Sequence, residues 1–72
     1  MTENREKIEA VQRMQDYIIA HYREDITLKD LAAAAAYSPW HALRAFTELL
    51  GKTPFAYLRS VRLTEAAKKL RD

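Results

Sequence analysis

The segment SPWHALRAFTELLG, residues 38–51, carries its own start and stop signals for a short α-helix. Ser38 is a favourable N-cap because its hydroxyl can accept a hydrogen bond from a backbone N–H one turn later. Pro39 suits the first helical position, where no N–H is needed, and Gly51 supplies the left-handed residue that commonly ends a helix. The sequence therefore predicts a helix over residues 39–50.

The side chains of this helix divide into a predicted buried stripe and an outward face. The stripe has helical spacing and consists of Ala42, Ala45, Phe46 and Leu49. The residues left on the outward face are Trp40, His41, Leu43, Arg44 and Thr47. A tryptophan, a histidine and an arginine near the start of an exposed helix are plausible groove-reading side chains.

A first helix is predicted over about residues 4–22, with Asn4 as its N-cap. Its apolar residues follow at helical spacing, which indicates a core-facing stripe. The stripe consists of Ile8, Val11, Met14, Ile18 and Tyr22. Ile19 falls outside the stripe and is expected to be an exposed apolar residue.

A second helix is predicted over residues 28–36, close enough to the next one to form a helix-turn-helix. Thr27 and Asp30 form an approximate capping box at its start. Its alanine-rich sequence has high helix propensity and allows a neighbouring helix to approach closely. Because only Tyr37 separates this helix from the Ser38 cap, the two helices are joined by a tight turn.

A fourth helix is predicted over residues 54–71, with a length of roughly 27 Å at 1.5 Å per residue. Its first half has an apolar face of Tyr57, Leu58 and Val61, and its second half has another of Leu63, Ala66, Ala67 and Leu70. The two faces are roughly 160° apart around the helix. We therefore expect a linker helix whose second apolar face is exposed in the isolated chain. The predicted fold is all-α, a small bundle with a helix-turn-helix and this long C-terminal helix.

Composition excludes several classes of protein. A chain of 72 residues with one glycine and no cysteine forms one small domain without disulfides, thiolate metal sites or a glycine-rich phosphate loop. The two histidines lie on different predicted helices without clustered acidic partners, so we predict no enzyme, no cofactor and no metal site. A hydrolase built on His41 is the weakest alternative, because so thin a domain does not form a pocket. No apolar run approaches the length of a membrane span or signal segment, which predicts no membrane partner.

Charge is unevenly distributed along the chain. Residues 1–36 contain five Lys and Arg against seven Asp and Glu, a net charge of −2, whereas residues 37–72 contain seven against three, a net charge of +4. The half that holds the outward face is therefore the basic half, as expected if it approaches a polyanion. Ordinary surface charge is the alternative explanation.

These features favour binding of double-stranded DNA through the helix over residues 39–50, placed in the major groove. Arginine is the commonest partner of guanine, and an apolar side chain such as Leu43 can contact a thymine methyl group. The predicted base-reading residues are Trp40, His41, Leu43, Arg44 and Thr47. The predicted phosphate-contacting residues are Thr27, Lys29, Ser38, Lys52, Arg59 and Arg62.

Three of the base-reading residues have simpler alternatives. Trp40 could be a partly buried aromatic residue, and Leu43 could belong to the core. Arg44 could form a surface salt bridge with Glu48 at the i, i+4 spacing. The alternative function is a protein-interaction or dimerisation module, whose surface would consist of Trp40, Leu43, Leu63 and Leu70.

The sequence from about Val11 to Leu70 resembles the AraC/XylS family of transcription regulators. The matching signals are Ile26 to Ala32, Tyr37 to His41, Arg44, Phe46, Gly51, Pro54, Tyr57-Leu58, Arg62-Leu63 and Ala66-Ala67. Trp40-His41 followed by Arg44 is most similar to the branch of Rob, MarA and SoxS, which binds DNA as a monomer. The resemblance implies base-facing positions for Trp40, Leu43 and Arg44, a role in transcription regulation, and the bacterial cytoplasm as location.

The resemblance also implies departures from the family pattern. Ala42 stands where the family more often has Leu or Phe, and Ala36 replaces a glycine that is common in the turn. The family's DNA-binding region contains a second helix-turn-helix after the linker helix. We therefore expect residues 1–72 to be a single helix-turn-helix subdomain and a fragment, without that second unit and without any effector domain. The implied partner is double-stranded DNA, with RNA polymerase as a further candidate.

Overall fold

The computed structural model describes residues 2–71, with side chains described for residues 4–70. Its four α-helices are α1 (Thr2–His21), α2 (Leu28–Ala35), α3 (Pro39–Leu50) and α4 (Pro54–Arg71). No strand occurs within those residues, so the all-α prediction is confirmed. α1 begins before Asn4, so Asn4 lies inside the helix and the prediction that it is the N-cap is wrong. The residues before Asn4 include neither proline nor glycine, so the helix can extend further toward the N-terminus. None of these four helices is long and apolar enough to cross a membrane.

The second, third and fourth helices begin with side-chain caps. The Thr27 hydroxyl accepts a hydrogen bond from the Asp30 N–H at 3.2 Å, and the Asp30 carboxylate accepts one from the Thr27 N–H at 2.9 Å. Ser38 Oγ accepts a hydrogen bond from the His41 N–H at 3.2 Å. Thr53 caps α4 in the same way, at 3.1 Å. The predicted capping box and the predicted Ser38 cap are confirmed, and they fix where α2 and α3 start.

Ala36 ends α2 in the left-handed conformation, with φ 59° and ψ 39°. Its N–H donates to the carbonyl of Ala33 at 3.2 Å, and the N–H of Tyr37 donates to the carbonyl of Ala32 at 2.9 Å. This pair of bonds is a Schellman motif, in which glycine is usual at the left-handed position. The Cβ of Ala36 makes that conformation costly, so the turn between α2 and α3 stores a small strain.

Ala36→Gly is expected to raise the free energy of unfolding by roughly 0.5–1 kcal/mol, because relief of the left-handed strain exceeds the entropy that glycine adds to the unfolded chain. Thermal unfolding followed by circular dichroism measures the change. Ala33→Gly is the control, since this exposed alanine lies inside α2. There glycine is expected to lower stability by about 0.5–1 kcal/mol. Changes of the same sign in both variants would contradict the assignment of strain to Ala36.

The core lies where α1, α2 and α3 meet, and the first half of α4 completes it. Its buried side chains are Ala10, Val11, Met14, Ile18, Ile26, Leu31, Ala32, Ala35, Ala42, Ala45, Phe46 and Leu58. Alanine predominates on α2 and α3, and its small side chain allows the two helices of the helix-turn-helix to pack closely. The ring of Phe46 meets the ring of Tyr57 edge to face, with centroids 5.6 Å apart, which joins α3 to α4.

Three predicted core residues are not buried. Ile8 is 54% exposed, because it lies roughly 100° around α1 from the centre of the buried side. Leu49 is 39% exposed, and in this last turn of α3 it is Leu50 that packs partly buried against the core. Tyr22 is only partly buried, since it follows the end of α1. The predicted exposure of Ile19 is confirmed.

The first half of α4 packs against the core, whereas the apolar side chains of its second half are exposed. Leu58 is buried, and Tyr57 and Val61 pack partly buried against the core. Leu63 and Leu70 are 65% and 88% exposed. The predicted exposure of the second apolar face is therefore confirmed in this single chain.

Candidate nucleic-acid interface

The outward face of α3 is centred on Trp40 and Arg44, which lie one turn apart. Trp40 is 66% exposed, so it is not the partly buried aromatic residue of the simpler alternative. The side chain of Arg44 is 64% exposed. The opposite side of α3 is buried through Ala42, Ala45 and Phe46. One helix surface therefore presents an indole and a guanidinium to solvent.

Leu43 and Thr47 lie on one flank of the outward face, and both are half-buried. Leu43 is not a member of the core cluster, and part of its side chain remains accessible to solvent. The Thr47 hydroxyl donates to the carbonyl of Leu43 at 2.8 Å. Because its only proton is engaged inside the helix, Thr47 can offer a ligand an acceptor oxygen but no donor. This flank therefore presents an apolar surface and one acceptor.

His41 borders the opposite flank, on the side of α1. Its ring stacks on the ring of Tyr37, with centroids 3.9 Å apart and planes 5° from parallel. A shallow depression beside this stack is lined by Glu6, Lys7, Tyr37 and His41. The stack holds the imidazole against the turn between α2 and α3, so His41 lies at the edge of the outward face.

A chain of ion pairs links this face to α1. The Glu48 carboxylate lies 2.9 Å from the Lys7 ammonium and 3.6 Å from Arg44 Nε. The Arg44 pair was anticipated from its i, i+4 spacing as an alternative to base reading. Lys7 was not anticipated, because it is 41 residues away from Glu48 and no local pattern indicates the contact. Lys7 is therefore the residue of this surface that sequence reasoning missed, and Glu48 was anticipated only as a partner of Arg44.

The pairing shifts the titration of Glu48. The hydrogen bond from Lys7, followed by the charges of Lys7 and Arg44, lowers the pKa of Glu48 below its ordinary value of 4.5. A carboxylate whose pKa is lowered on folding stabilises the folded state at pH values above its ordinary pKa. That stabilisation is lost as the pH falls through the lowered pKa. The Glu48 carboxylate is therefore charged near neutral pH, as both ion pairs require.

The residues predicted to contact phosphates divide into free and engaged side chains. Lys29, Lys52 and Arg59 are exposed, and none of them forms an ion pair or side-chain hydrogen bond within the described part of the chain. Thr27 and Ser38 use their side-chain oxygens as acceptors in the caps of α2 and α3. Their hydroxyl protons remain free to donate.

Arg62 is engaged in the fold. Its Nε donates to the carbonyl of Tyr22 at 2.8 Å, and its Nη2 donates to the carbonyl of Glu24 at 3.0 Å. These bonds tie α4 to the connection between α1 and α2. Arg13 ties α1 to α2 in a similar way, because its guanidinium donates to the last two carbonyls of α2 at 3.1 Å each. The guanidinium of Arg62 is therefore engaged by backbone carbonyls, and Arg62 is not among the proposed phosphate contacts.

Arg62→Ala is expected to lower the free energy of unfolding by roughly 1–2 kcal/mol, because two carbonyls lose a charged donor. Urea unfolding followed by circular dichroism measures the change. Arg59→Ala is the control, since Arg59 lies on the same helix and is exposed. Its stability is expected to stay within about 0.5 kcal/mol of the unsubstituted protein. If Arg62→Ala destabilises no more than Arg59→Ala, the guanidinium does not hold α4 in place.

Residues 31–72 match the family described as "Helix-turn-helix domain". Similar curated proteins include the uncharacterized HTH-type transcriptional regulator YbfI of Bacillus subtilis, 35% identical over 65 residues that cover 90% of this chain and 24% of YbfI. The right origin-binding protein of Escherichia coli K12 is 36% identical over 55 residues, covering 76% of this chain and 19% of that protein. The multiple antibiotic resistance protein MarA of Salmonella typhimurium is 32% identical over 57 residues, covering 79% of this chain and 45% of MarA.

The chain therefore spans about a quarter of the length of YbfI, a fifth of the right origin-binding protein and less than half of MarA. The aligned part includes the helix-turn-helix, since the family match begins at Leu31 in α2 and continues through α3 and α4. No solved structure matches the chain.

Proposed function

This chain belongs to the AraC/XylS-type helix-turn-helix family, and we propose that it binds double-stranded DNA sequence-specifically in the regulation of transcription. In this proposal α3 lies in the major groove, as the second helix of a helix-turn-helix does. The observation that carries the proposal is the exposure of Trp40 and Arg44 on one face of α3, opposite its buried side. The names of the relatives support the regulatory part, since YbfI is called a transcriptional regulator.

Arg44 is the proposed main reader of sequence. Its guanidinium can donate two hydrogen bonds to O6 and N7 of guanine, which is the commonest specific contact in the major groove. Leu43 is proposed to contact a thymine methyl group, and Thr47 to accept a hydrogen bond from a base. Trp40 supplies a large apolar surface one turn before Arg44, and His41 contributes at the edge of the face.

The proposed phosphate contacts surround this face and determine orientation without reading sequence. Lys29 lies in the first turn of α2, Lys52 follows α3, and Arg59 lies on α4. The free hydroxyl protons of Thr27 and Ser38, with the backbone N–H groups at the starts of α2 and α3, add donors that suit phosphate oxygens. The family supports the bacterial cytoplasm as the proposed location, and RNA polymerase is a further proposed partner.

The protein-interaction alternative has less support. Its surface would need Trp40 and Leu43 on α3 together with Leu63 and Leu70 on α4. The family and the named relatives instead indicate helix-turn-helix regulators. We therefore do not propose protein interaction as the function of α3.

A chemical-shift titration tests the proposal. The isotope-labelled protein is titrated with a duplex that it has itself selected from a randomised pool. We expect the largest shifts within residues 38–47, because this range contains the start and the outward face of α3. Affinity is expected to fall with salt at a slope of about −3 on logarithmic axes, which corresponds to about three neutralised phosphates. Shifts confined to residues 63–70, or affinity independent of salt, would contradict binding through α3.

A further inference from the structure

An acidic side chain lies on the face of α3 that is proposed to meet DNA. Glu48 is the only acidic residue of α3, and its side chain is 47% exposed one turn after Arg44. A carboxylate at such a position opposes binding to a polyanion, because it repels the phosphates that dominate affinity. Its presence beside the main candidate reader therefore needs a physical explanation.

The geometry assigns a different partner to each oxygen of this carboxylate. Oε1 of Glu48 accepts a hydrogen bond from Lys7 Nζ at 2.9 Å, whereas Oε2 lies 3.6 Å from Arg44 Nε. The side chain of Lys7 is only 31% exposed, so α1 anchors the carboxylate from behind. Arg44 is thus approached by an acceptor that is itself fixed to a second helix.

The atom that faces Glu48 leaves the rest of the guanidinium free. Arginine carries five N–H donors in a planar fork, and only one of them is on Nε. The donors on the two terminal nitrogens of Arg44 therefore remain available for a ligand while Nε faces Glu48. A guanine edge can accept two of them at O6 and N7.

We propose that Glu48 is a positioning residue for Arg44 that also selects base edges over phosphates. This inference rests on the proposed DNA-binding function. A base edge carries no net charge, so the Glu48 carboxylate opposes its approach only weakly. A phosphate carries a full negative charge and is repelled. Glu48 therefore weakens the binding of Arg44 to the DNA backbone more than its binding to guanine.

The test compares two probes with two variants. The probes are a duplex that the unsubstituted protein selects from a randomised pool and a random-sequence duplex pool of the same length. The variants are Glu48→Gln and its matched control Glu65→Gln, which makes the same change in net charge. Glu65 is also paired to a lysine, since its carboxylate lies 3.1 Å from Lys68 on α4.

Glu48→Gln is expected to bind the random-sequence pool about fivefold more tightly, with a salt slope steeper by about 0.9 because Arg44 neutralises one more phosphate. Its affinity for the selected duplex is expected not to rise, so the ratio of the two affinities falls about fivefold. Glu65→Gln is expected to change that ratio less than twofold. The inference would be overturned if Glu48→Gln changed the affinities for both probes by the same factor. It would also be overturned if the affinity ratio changed no more in Glu48→Gln than in Glu65→Gln.

A second measurement needs no DNA. The Nε–H resonance of Arg44 in the free protein is expected to shift in Glu48→Gln, while the backbone resonances of buried Met14 and Phe46 stay in place. Those unmoved resonances also show that the variant is folded. An unchanged Nε–H resonance would overturn the positioning role, because the Glu48 carboxylate would then not interact with Arg44 Nε–H.

The outcomes separate this inference from the function on which it rests. If the unsubstituted protein shows no salt-dependent affinity for either probe, both the proposed function and the role of Glu48 are overturned. If it binds the selected duplex and loses that preference in Arg44→Ala, the function stands. An unchanged affinity ratio in Glu48→Gln then overturns the role of Glu48 alone.

Discussion

Phe46→Ala is expected to lower the free energy of unfolding by about 3–5 kcal/mol. Phe46 is the largest fully buried side chain among the described residues, and its ring packs against Tyr57. Its α3 neighbours on the buried side, Ala42 and Ala45, are too small to fill the cavity that the ring would leave. A domain of this size has a total stability of about 4–11 kcal/mol, so the variant is expected to lose more than a quarter of it.

Urea unfolding followed by circular dichroism measures this loss, and Leu49→Ala is the control. Both residues belong to the apolar stripe predicted for α3, but Leu49 is 39% exposed. Its truncation is expected to cost roughly 1 kcal/mol, because less apolar surface returns to water and no closed cavity forms. Similar losses for the two variants would show that the core does not extend from α3 to α4 as the structure has it.

Arg44→Ala is expected to weaken binding to the selected duplex by about 1–3 kcal/mol, which is roughly 5- to 150-fold in affinity. The guanidinium is proposed to donate two hydrogen bonds to one guanine, so the preference at that base pair is expected to relax. Stability is expected to stay unchanged, because the Arg44 side chain is 64% exposed. Fluorescence anisotropy with the selected duplex and its single-base variants measures both effects.

Arg59→Ala provides the comparison that separates reading from positioning. A phosphate contact contributes equally to all sequences, so this variant is expected to weaken binding to every duplex alike and to reduce the salt slope by about 1. If Arg44→Ala shows that uniform pattern, Arg44 contacts phosphate and not a base. If it changes neither affinity nor preference, Arg44 does not belong to the interface.

The helix boundaries of the helix-turn-helix were predictable because the bonds that set them are local. The Thr27 and Ser38 hydroxyls each accept from a backbone N–H three residues later. Gly51 ends α3 in the left-handed conformation, at φ 73°. Each of these signals lies within the few residues that it controls, so residue types alone indicate it.

The contacts between helices were not predictable in the same way. Arg62 bonds to carbonyls 40 and 38 residues away, and Lys7 reaches Glu48 across 41 residues. A periodic pattern shows which side of a helix is apolar, but it does not show where the covering helix ends. Ile8 and Leu49 both fit the helical spacing of a buried stripe, yet the neighbouring helices leave them exposed. The lysine beside the outward face of α3 likewise belongs to a distant part of the chain.

The two apolar faces of α4 give one continuous helix two local stabilities. Around Leu58 the backbone is covered by the core, so its amide groups open only when much of the domain unfolds. Every side chain over residues 66–70 is exposed, and the hydrogen bonds of the helix itself hold the backbone there. Such a segment opens at a far lower free energy, by local fraying. α4 is therefore rigid where Arg62 and Leu58 hold it and progressively more dynamic toward Leu70.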